Sequence, residues 1–327
     1  MPARFRDRLA FWLTLGVNLP ALLLNILLVV VVLRTRSLRK NECFWLILAL
    51  AAGNLGTSMY MLFHVCPLLL FHFVFTATAS PYNDTITALY YGADCYTCCI
   101  MILLALNRYV RMVHPNYYMD TFSPNWTATW IALCVGLACV YTVPLFTNCC
   151  QMFFDVYNYN TRFNLYDPFQ QYWYQGIQEL TYYIPIVIMV FAYASVMFLL
   201  LRQQRLNNNG NASTTSAFKQ MKRDISIAFQ FFSVTIVFLL TYMLYAFVPW
   251  TFDFLIPYIF IMNLKPLSCL LNPLLCFAFS AQVQKALRRL FKCGAGSLVS
   301  GSSSSNKTAV TRTISVTPST WPSPRHE

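Results

Sequence analysis

The sequence contains few charged residues. Only 10% of its 327 residues are Asp, Glu, Lys or Arg, against about 25% in a typical soluble domain. Because 57% of the residues are apolar, the chain has too little polar surface to remain in water as a globular domain. The net charge of +12 would suit a nucleic-acid-binding protein, but the basic residues lie between apolar runs and form no basic face. Nucleic acid is therefore not an expected partner.

The sequence also lacks motifs for catalysis, nucleotide binding or metal binding. The four histidines have no metal-ligand spacing; they are His64, His72, His114 and His326. No internal repeat of the kind common in transporters is visible. No cleavable signal peptide is evident, because the first apolar run is long enough to span a membrane and lacks a small-residue cleavage site. We therefore predict a protein that is not an enzyme and that needs no cofactor or metal.

Seven apolar runs are long enough, at roughly 20 residues each, to cross the hydrocarbon core of a bilayer as helices. The predicted spans are residues 11–33, 44–69, 85–110, 126–148, 173–201, 224–250 and 257–279. Prolines occur within several of them, which a transmembrane bundle tolerates because neighbouring helices satisfy the freed backbone groups. The sequence predicts an all-α membrane protein, a seven-transmembrane helix bundle over residues 11–279.

The basic residues predict the orientation of this bundle. One set of connections, together with the C-terminal segment, carries 18 Lys and Arg residues, whereas the opposite side carries four. The four are Arg4, Arg6, Arg8 and Arg162. The positive-inside rule then predicts an extracellular N-terminus, residues 1–10, and a cytoplasmic C-terminus in a multi-pass plasma-membrane protein. The three arginines before the first span are the one discordant signal.

The segment after the last span is amphipathic. In residues 280–293, four apolar residues share one helical face and four basic residues surround it, which is typical of a helix that lies on an anionic leaflet. The apolar residues are Val283, Leu287, Leu290 and Phe291, and the basic ones are Lys285, Arg288, Arg289 and Lys292. Cys293 is a predicted palmitoylation site. In residues 294–327, 14 of 34 are Ser or Thr, which predicts a disordered tail.

Several short motifs follow one another along the spans. Asn107-Arg108-Tyr109 ends the third span and continues as NRYVRMVHPNYY, and Asn272-Pro273 is followed three residues later by Cys276. The other motif residues are Asn25, Asn54 within LAAGNLG, Pro185 with Tyr193 eight residues later, and Phe238 with Tyr242 four residues later. In this order and at these spacings, residues 18 to 293 resemble the rhodopsin-like (class A) G-protein-coupled receptors.

The resemblance implies a conformational switch. In that family the arginine matched by Arg108 holds the inactive bundle closed and then meets the G protein, and Asp224 matches its acidic partner. Asn107, Asn54 and Cys276 stand where the family has acid, aspartate and tyrosine, and Tyr242 replaces a tryptophan. We therefore expect a less tightly locked resting state, and sodium binding at Asn54 is in doubt. The full switch set is Asn25, Asn54, Asn107, Arg108, Tyr109, Pro185, Tyr193, Asp224, Phe238, Tyr242, Asn272, Pro273 and Cys276. The simpler alternative makes Arg108 a positive-inside anchor and the asparagines interhelical hydrogen-bonding residues.

The resemblance also implies a ligand pocket between the helices in their extracellular half. By register with Arg108, its residues are Tyr90, Asp94, Tyr242, Tyr245 and Lys265. Asp94 and Lys265 are costly at membrane depth unless they are paired or used. They either form an ion pair with each other or provide a counter-ion for a charged ligand. Lys265 lies eight residues before Pro273, one more than the retinal-bearing lysine of opsins, so we do not expect a photoreceptor.

The family disulfide cannot form in its usual way here. Its third-helix cysteine corresponds to Asn83, 25 residues before Arg108. A pairing of Cys66 with Cys149 or Cys150 is the candidate replacement. Asn83-Asp84-Thr85 is also a predicted glycosylation site.

The function implied by the resemblance is activation of a heterotrimeric G protein by an extracellular small molecule, odorant or peptide. Besides the lipid bilayer, arrestin and receptor kinases are implied partners of the Ser/Thr-rich tail, which could alternatively serve only solubility. Two other functions stay open: an atypical or decoy receptor with weak coupling, and a seven-span transporter or channel.

Overall fold

The computed structural model describes the chain in eight stretches. These are residues 3–71, 80–147, 150–155, 159–163, 168–209, 232–241, 243–244 and 255–297. The chain divides into two compact units, Met1–Arg288 and Arg289–Glu327.

Long helices make up most of the first unit. They are α1 (Ala3–Arg34), α3 (Glu42–Tyr60), α5 (Pro81–Val113), α7 (Pro124–Thr142), α8 (Pro168–Asn209) and α10 (Leu255–Phe279). The other helices are α2 (Arg36–Arg39), α4 (Cys66–Phe71), α6 (Tyr118–Thr121), α9 (Phe232–Thr241) and α11 (Ala281–Ser297). A π-helical turn at Met61–Val65 joins α3 to α4, and 3-10 turns lie at Pro115–Tyr117 and Val143–Phe146.

Six of the described helical segments are long and apolar enough to cross a membrane. They correspond to all the predicted spans except the sixth, residues 224–250, of which the described part contains the shorter apolar helix α9. The predicted helical bundle is therefore confirmed. The first helix begins at Ala3, within the segment predicted to precede the bundle. No Gly or Pro occurs between Ala3 and Leu15, so nothing in the sequence stops the helix from extending in this direction.

One face of α1 is buried although it carries polar residues. The buried positions recur at the three- and four-residue spacing of a helical face; they are Asp7, Ala10, Thr14, Asn18, Ala21, Asn25 and Leu28. Asn18 Nδ2 donates to the Thr14 carbonyl at 2.9 Å, one turn away, which offsets part of the cost of burying the amide. Large apolar side chains such as Trp12 and Leu23 are exposed on the other face, where lipid would cover them.

Helix α5 is central and packs closely against its neighbours through two glycines. A Cβ atom added at Gly92 would overlap the Thr142 hydroxyl on α7, and one added at Gly53 on α3 would overlap the Thr97 hydroxyl on α5. Close backbone approach at small residues is the usual way in which transmembrane helices pack. The two glycines therefore set how closely α3 and α7 approach α5.

A short β-hairpin lies between α7 and α8, and the sequence analysis did not anticipate it. Strands β1 (Met152–Asp155) and β2 (Asn160–Phe163) pair antiparallel with Phe154 opposite Thr161. Tyr159, next to β2, has φ of 52°, the left-handed region that non-glycine residues seldom adopt. Buried Met152, Phe154 and Tyr159 pack into the same apolar cluster as residues from α1, α4, α5 and α10.

The predicted amphipathic helix is present as α11 and extends to Ser297. Val283 and Ala286 are buried, whereas Lys285 and the two arginines that follow, Arg288 and Arg289, are exposed. Gln284 Nε2 donates to the carbonyls of Phe277 and Ala278 at 3.0 and 2.8 Å. These bonds use carbonyls that the end of α10 leaves without helical partners.

Candidate functional site

The centre of the candidate site is a buried ion pair. Lys265 Nζ on α10 contacts Asp94 Oδ2 on α5. The Asp94 side chain is 1% exposed and that of Lys265 is 16% exposed, so the pair lies inside the bundle. The mutual ion pair was one of the two interpretations that the sequence left open, and it is formed. Because both charges are within the membrane region, each would be costly without the other.

Two tyrosines extend this site. Tyr90 lies one helical turn before Asp94, and the Lys265 ammonium is 4.5 Å from the centroid of its ring. The face of Tyr90 stacks on Tyr60 of α3, with ring centroids 4.2 Å apart. The ammonium is therefore held between a carboxylate and the electron-rich face of an aromatic ring.

A chain of hydrogen bonds continues from Tyr60 towards the hairpin. The Tyr60 and Thr87 hydroxyls are 3.4 Å apart, and Thr87 Oγ1 donates to Asn83 Oδ1 at 3.3 Å. His64 Nε2 is 2.9 Å from the same Asn83 oxygen. The sequence analysis missed Tyr60, His64 and Thr87. The signal available was their helical spacing, since polar groups recur every three or four residues on one face of apolar spans.

Asn83 joins this chain to the hairpin. Its Nδ2 donates to the Phe154 carbonyl at 3.3 Å, and its Oδ1 accepts from the Phe154 N–H at 3.2 Å. The side chain is fully buried. The predicted glycosylation of Asn83 is therefore wrong for the folded chain, because the amide nitrogen that would carry a glycan is buried and hydrogen-bonded.

Two further side-chain contacts attach the hairpin to the helices. The Tyr91 hydroxyl of α5 contacts the Thr161 hydroxyl of β2. The Tyr159 hydroxyl donates to Asp7 Oδ1 of α1. Burial, reinforced by this bond to Asp7, raises the pKa of Tyr159 above its usual value. The phenol therefore keeps its proton and remains the donor at neutral pH.

The predicted disulfide of Cys66 is not formed. Cys66 is a buried free thiol, whereas Cys150 is disulfide-bonded. Cys66 is 3% exposed, and a buried thiol packs as a small hydrophobic group. Several other predicted site residues lie outside the described residues: Cys149, Asp224, Tyr242 and Tyr245. The side chain of Cys293 is not described either.

The other end of α5 brings together four predicted switch residues. Arg108 is 5% exposed, and its Nη2 contacts the Cys43 sulfur on α3. The buried Tyr193 hydroxyl on α8 lies close enough to interact with Arg108. Asn107 Nδ2 donates to the Tyr118 hydroxyl at 3.3 Å, and Tyr109 packs on Val196 and Leu200 of α8.

The buried asparagines predicted to bond between helices, on α1, α3 and α10, are only partly joined. Asn25 Nδ2 donates to the Cys269 carbonyl at 3.0 Å, and Asn54 Nδ2 donates to Asn25 Oδ1 at 3.5 Å. Asn272 is 1% exposed, and neither polar atom of its side chain has a hydrogen-bond partner within the described part of the chain. Ser268 Oγ donates instead to the Lys265 carbonyl at 2.7 Å. Four more residues of the predicted switch set are buried: Pro185, Phe238, Pro273 and Cys276.

A cavity of about 480 Å³ lies apart from the ion pair, between α3, α5 and α7. Its lining is apolar, with exposed Leu89, Val135 and Phe146 at its edge and Gly53 and Gly92 among its walls. Of the predicted pocket residues that the structure describes, which are Tyr90, Asp94 and Lys265, none lines it. It is a groove on the lipid-facing side of the bundle and does not correspond to the predicted ligand site.

Comparison with known proteins agrees with the family that the sequence motifs resemble. Residues 17–269 match the family described as serpentine type 7TM GPCR chemoreceptor Srx. Olfactory receptor 1D5 of Homo sapiens is 27% identical over 139 residues, which is 42% of this chain and 43% of the relative. Olfactory receptor 1D4 of Homo sapiens and olfactory receptor 1D5 of Pan paniscus are each 26% identical over the same shares.

The chain thus matches about 43% of the length of these curated relatives. The family match is broader, since it extends over most of the chain and includes α3, α5, α7 and α8 in full. The resemblance to rhodopsin-like receptors is confirmed, and the multi-pass membrane fold agrees with it. The chain belongs to the Srx family of serpentine seven-transmembrane G-protein-coupled chemoreceptors.

Proposed function

We propose that this protein is a plasma-membrane chemoreceptor that couples an extracellular ligand to a heterotrimeric G protein. The ligand binds between the helices beside Asp94 and Lys265, and the G protein binds at the end of α5 that contains Arg108. The observation that carries this proposal is the buried Asp94–Lys265 ion pair beside Tyr90. Asp94 and Tyr90 lie on α5, the helix that also contains Arg108. Asp94 and Arg108 are 14 residues apart, roughly 21 Å along one helix.

The ion pair suits ligand detection because the burial of its two charges is energetically unfavourable. Desolvation of two buried charges consumes much of their mutual attraction, so such pairs are weak contributors to stability. A ligand that contacts Lys265 or Asp94 differently in two arrangements of α5 and α10 shifts the equilibrium between those two arrangements. The Lys265 side chain is the more exposed of the two, so a ligand meets the ammonium first. The similarity to proteins named olfactory receptors favours a small odorant over a peptide.

The distribution of basic residues supports an extracellular N-terminus and a cytoplasmic C-terminus. The exposed Lys285, Arg288 and Arg289 on α11 suit the anionic inner leaflet. We place palmitate on Cys293 and phosphorylation by receptor kinases, followed by arrestin binding, in the Ser/Thr-rich tail.

The neutral Asn107 beside Arg108 supports a weakly locked resting state. Asn107 carries no charge, and its amide is bonded to Tyr118. Arg108 also contacts the Cys43 sulfur on α3. We infer that Asp224 supplies the remaining restraint, so Asp224→Asn should raise basal signalling. The same altered residues support a second candidate, a receptor with little G-protein coupling.

Nucleotide exchange on purified G proteins tests the proposal. The full chain in lipid nanodiscs should accelerate binding of a non-hydrolysable GTP analogue by at least one class of heterotrimer. Arg108→Ala should reduce this exchange about tenfold or more, because the guanidinium meets the G protein. Arg36→Ala is the control, since Arg36 is an exposed basic residue in the described structure.

Exchange that equals that of empty nanodiscs for every class of heterotrimer would support the decoy receptor. Ion or solute flux through liposomes that contain the chain, without nucleotide exchange, would support a transporter or channel.

A further inference from the structure

Asn83 occupies an unusual position at the start of α5. The Ser80 side chain caps the helix by accepting from the Asn83 N–H at 3.2 Å, and the Asn83 side chain is fully buried. This is the position at which rhodopsin-like receptors carry the cysteine that is linked to the loop between the fourth and fifth spans. The hairpin β1–β2 lies in that loop here, and Asn83 contacts it.

The Asn83 amide pairs with the backbone of one hairpin residue in both directions. It donates to the Phe154 carbonyl at 3.3 Å and accepts from the Phe154 N–H at 3.2 Å. These two backbone groups therefore point away from β2 and towards α5. A side-chain amide reproduces the donor and acceptor that a third strand would present, so it satisfies the edge of the hairpin.

Two neighbours fix the orientation of the amide. Asn83 Oδ1 also accepts from Thr87 Oγ1 at 3.3 Å and lies 2.9 Å from His64 Nε2. The Phe154 N–H, Thr87 Oγ1 and His64 Nε2 all contact the same atom of the Asn83 side chain, so this atom must be the amide oxygen. His64 must then carry its hydrogen on Nε2 in order to donate. The amide therefore cannot turn over without losing its bonds to His64, Thr87 and Phe154.

We propose that Asn83 is a positioning residue that tethers the hairpin to α5 through hydrogen bonds, at the place where rhodopsin-like receptors carry a disulfide. A tether of this kind opens and closes reversibly, whereas a disulfide keeps the loop attached permanently. The contacts of Tyr91 with Thr161 and of Tyr159 with Asp7 hold β2 and the turn, and Asn83 holds β1. The tether is a property of the fold and does not depend on the ligand or the G protein.

Hydrogen–deuterium exchange on the full chain in nanodiscs tests this proposal, with Asn83→Ala and Thr85→Ala as a matched pair. Both substitutions destroy the Asn83-Asp84-Thr85 glycosylation sequence, but only Asn83→Ala removes the tether, since Thr85 is exposed on α5. Loss of two hydrogen bonds should accelerate exchange of the backbone amides in Met152–Asp155 roughly ten- to thirtyfold. Exchange in Thr85→Ala should equal that of the wild type.

A second variant keeps the test decisive if Asn83→Ala does not fold. Asn83→Asp retains the acceptor oxygen for Phe154 N–H and loses the donor to the Phe154 carbonyl. Its hairpin amides should exchange about three- to tenfold faster than those of the wild type. Unchanged exchange in Asn83→Asp, or an equal acceleration in Thr85→Ala, would overturn the proposal. A peptide-N-glycosidase digest that removes a glycan from Asn83 of the folded wild-type chain would overturn it as well.

Discussion

The two ends of α5 bury polar groups in different ways. At the end that contains Asn83, an amide, an imidazole, two phenols and an ion pair bring together α3, α10 and the hairpin. At the end that contains Arg108, a guanidinium lies against a thiol, and one neutral amide bonds one phenol. The first arrangement has directional, mutually oriented partners, whereas the described contacts of the second are one thiol contact and one neutral hydrogen bond.

This difference fits the proposal that a ligand binds near Asp94 and that a G protein binds at the end that contains Arg108. A ligand site gains affinity when its groups are held in place before binding, because less ordering is needed on association. A coupling site must change partners between its two states, so contacts of low energy on that side reduce the cost of the change. We therefore expect substitutions at the Asn83 end to affect stability more than those at the Arg108 end.

The largest loss should follow Asp94→Asn, which leaves the Lys265 ammonium buried without its carboxylate. Removal of one partner from a buried ion pair typically costs about 3–5 kcal/mol in the free energy of unfolding. Thermal unfolding of the purified chain in nanodiscs measures the effect. The control is Asp94→Asn with Lys265→Gln, which removes both charges and should recover most of the stability. A double variant as unstable as Asp94→Asn alone would show that the pair is not the cause.

A smaller loss should follow Tyr90→Leu, because it removes both the aromatic face from Lys265 and the stack on Tyr60. Cation–π and ring–ring contacts of this kind together contribute about 1–2 kcal/mol. Tyr90→Phe keeps both rings and is the matched control, so it should lose clearly less stability than Tyr90→Leu. Equal losses in Tyr90→Leu and Tyr90→Phe would mean that the hydroxyl, and not the ring face, stabilises this end.

The smallest loss should follow Asn107→Ala at the other end. It removes one neutral hydrogen bond to the Tyr118 hydroxyl, with a net value of about 1 kcal/mol or less. Tyr118→Phe removes the same bond from the opposite side, and the double variant should be no less stable than either single one. If Asn107→Ala destabilised the chain as much as Asp94→Asn does, the contrast between the two ends of α5 would be lost.

Much of the site was predictable from the sequence because it depends on local register. Asp94 and Tyr90 lie at fixed helical offsets from Arg108, so their shared face follows from the 3.6-residue repeat. The ion pair of Lys265 with Asp94 was predictable only as an alternative to a counter-ion for a charged ligand, because the two residues are 171 positions apart in the sequence. Asn83 was misinterpreted because its sequon is a three-residue pattern, whereas its burial depends on a hairpin 71 residues away.

The hairpin and the cysteine pairing were missed for related reasons. Strands β1 and β2 have four residues each, too few for a period of two to stand out from a loop. Cys66 and Cys150 have the right residue type for a disulfide, but pairing needs Cβ atoms within a few ångströms of each other. Only the path of the chain between the helices determines that distance.

The sequence by itself determined that the chain spans a membrane and belongs among seven-helix receptors. Transfer of an apolar helix into lipid depends on about 20 consecutive residues, and the receptor motifs have fixed places within those helices. The tertiary structure alone decided that Lys265 meets Asp94 and Tyr90, and that Asn83 holds Phe154. Buried polar groups need partners, but packing chooses them, because a hydrogen bond extends only about 3 Å while these residues are far apart along the chain.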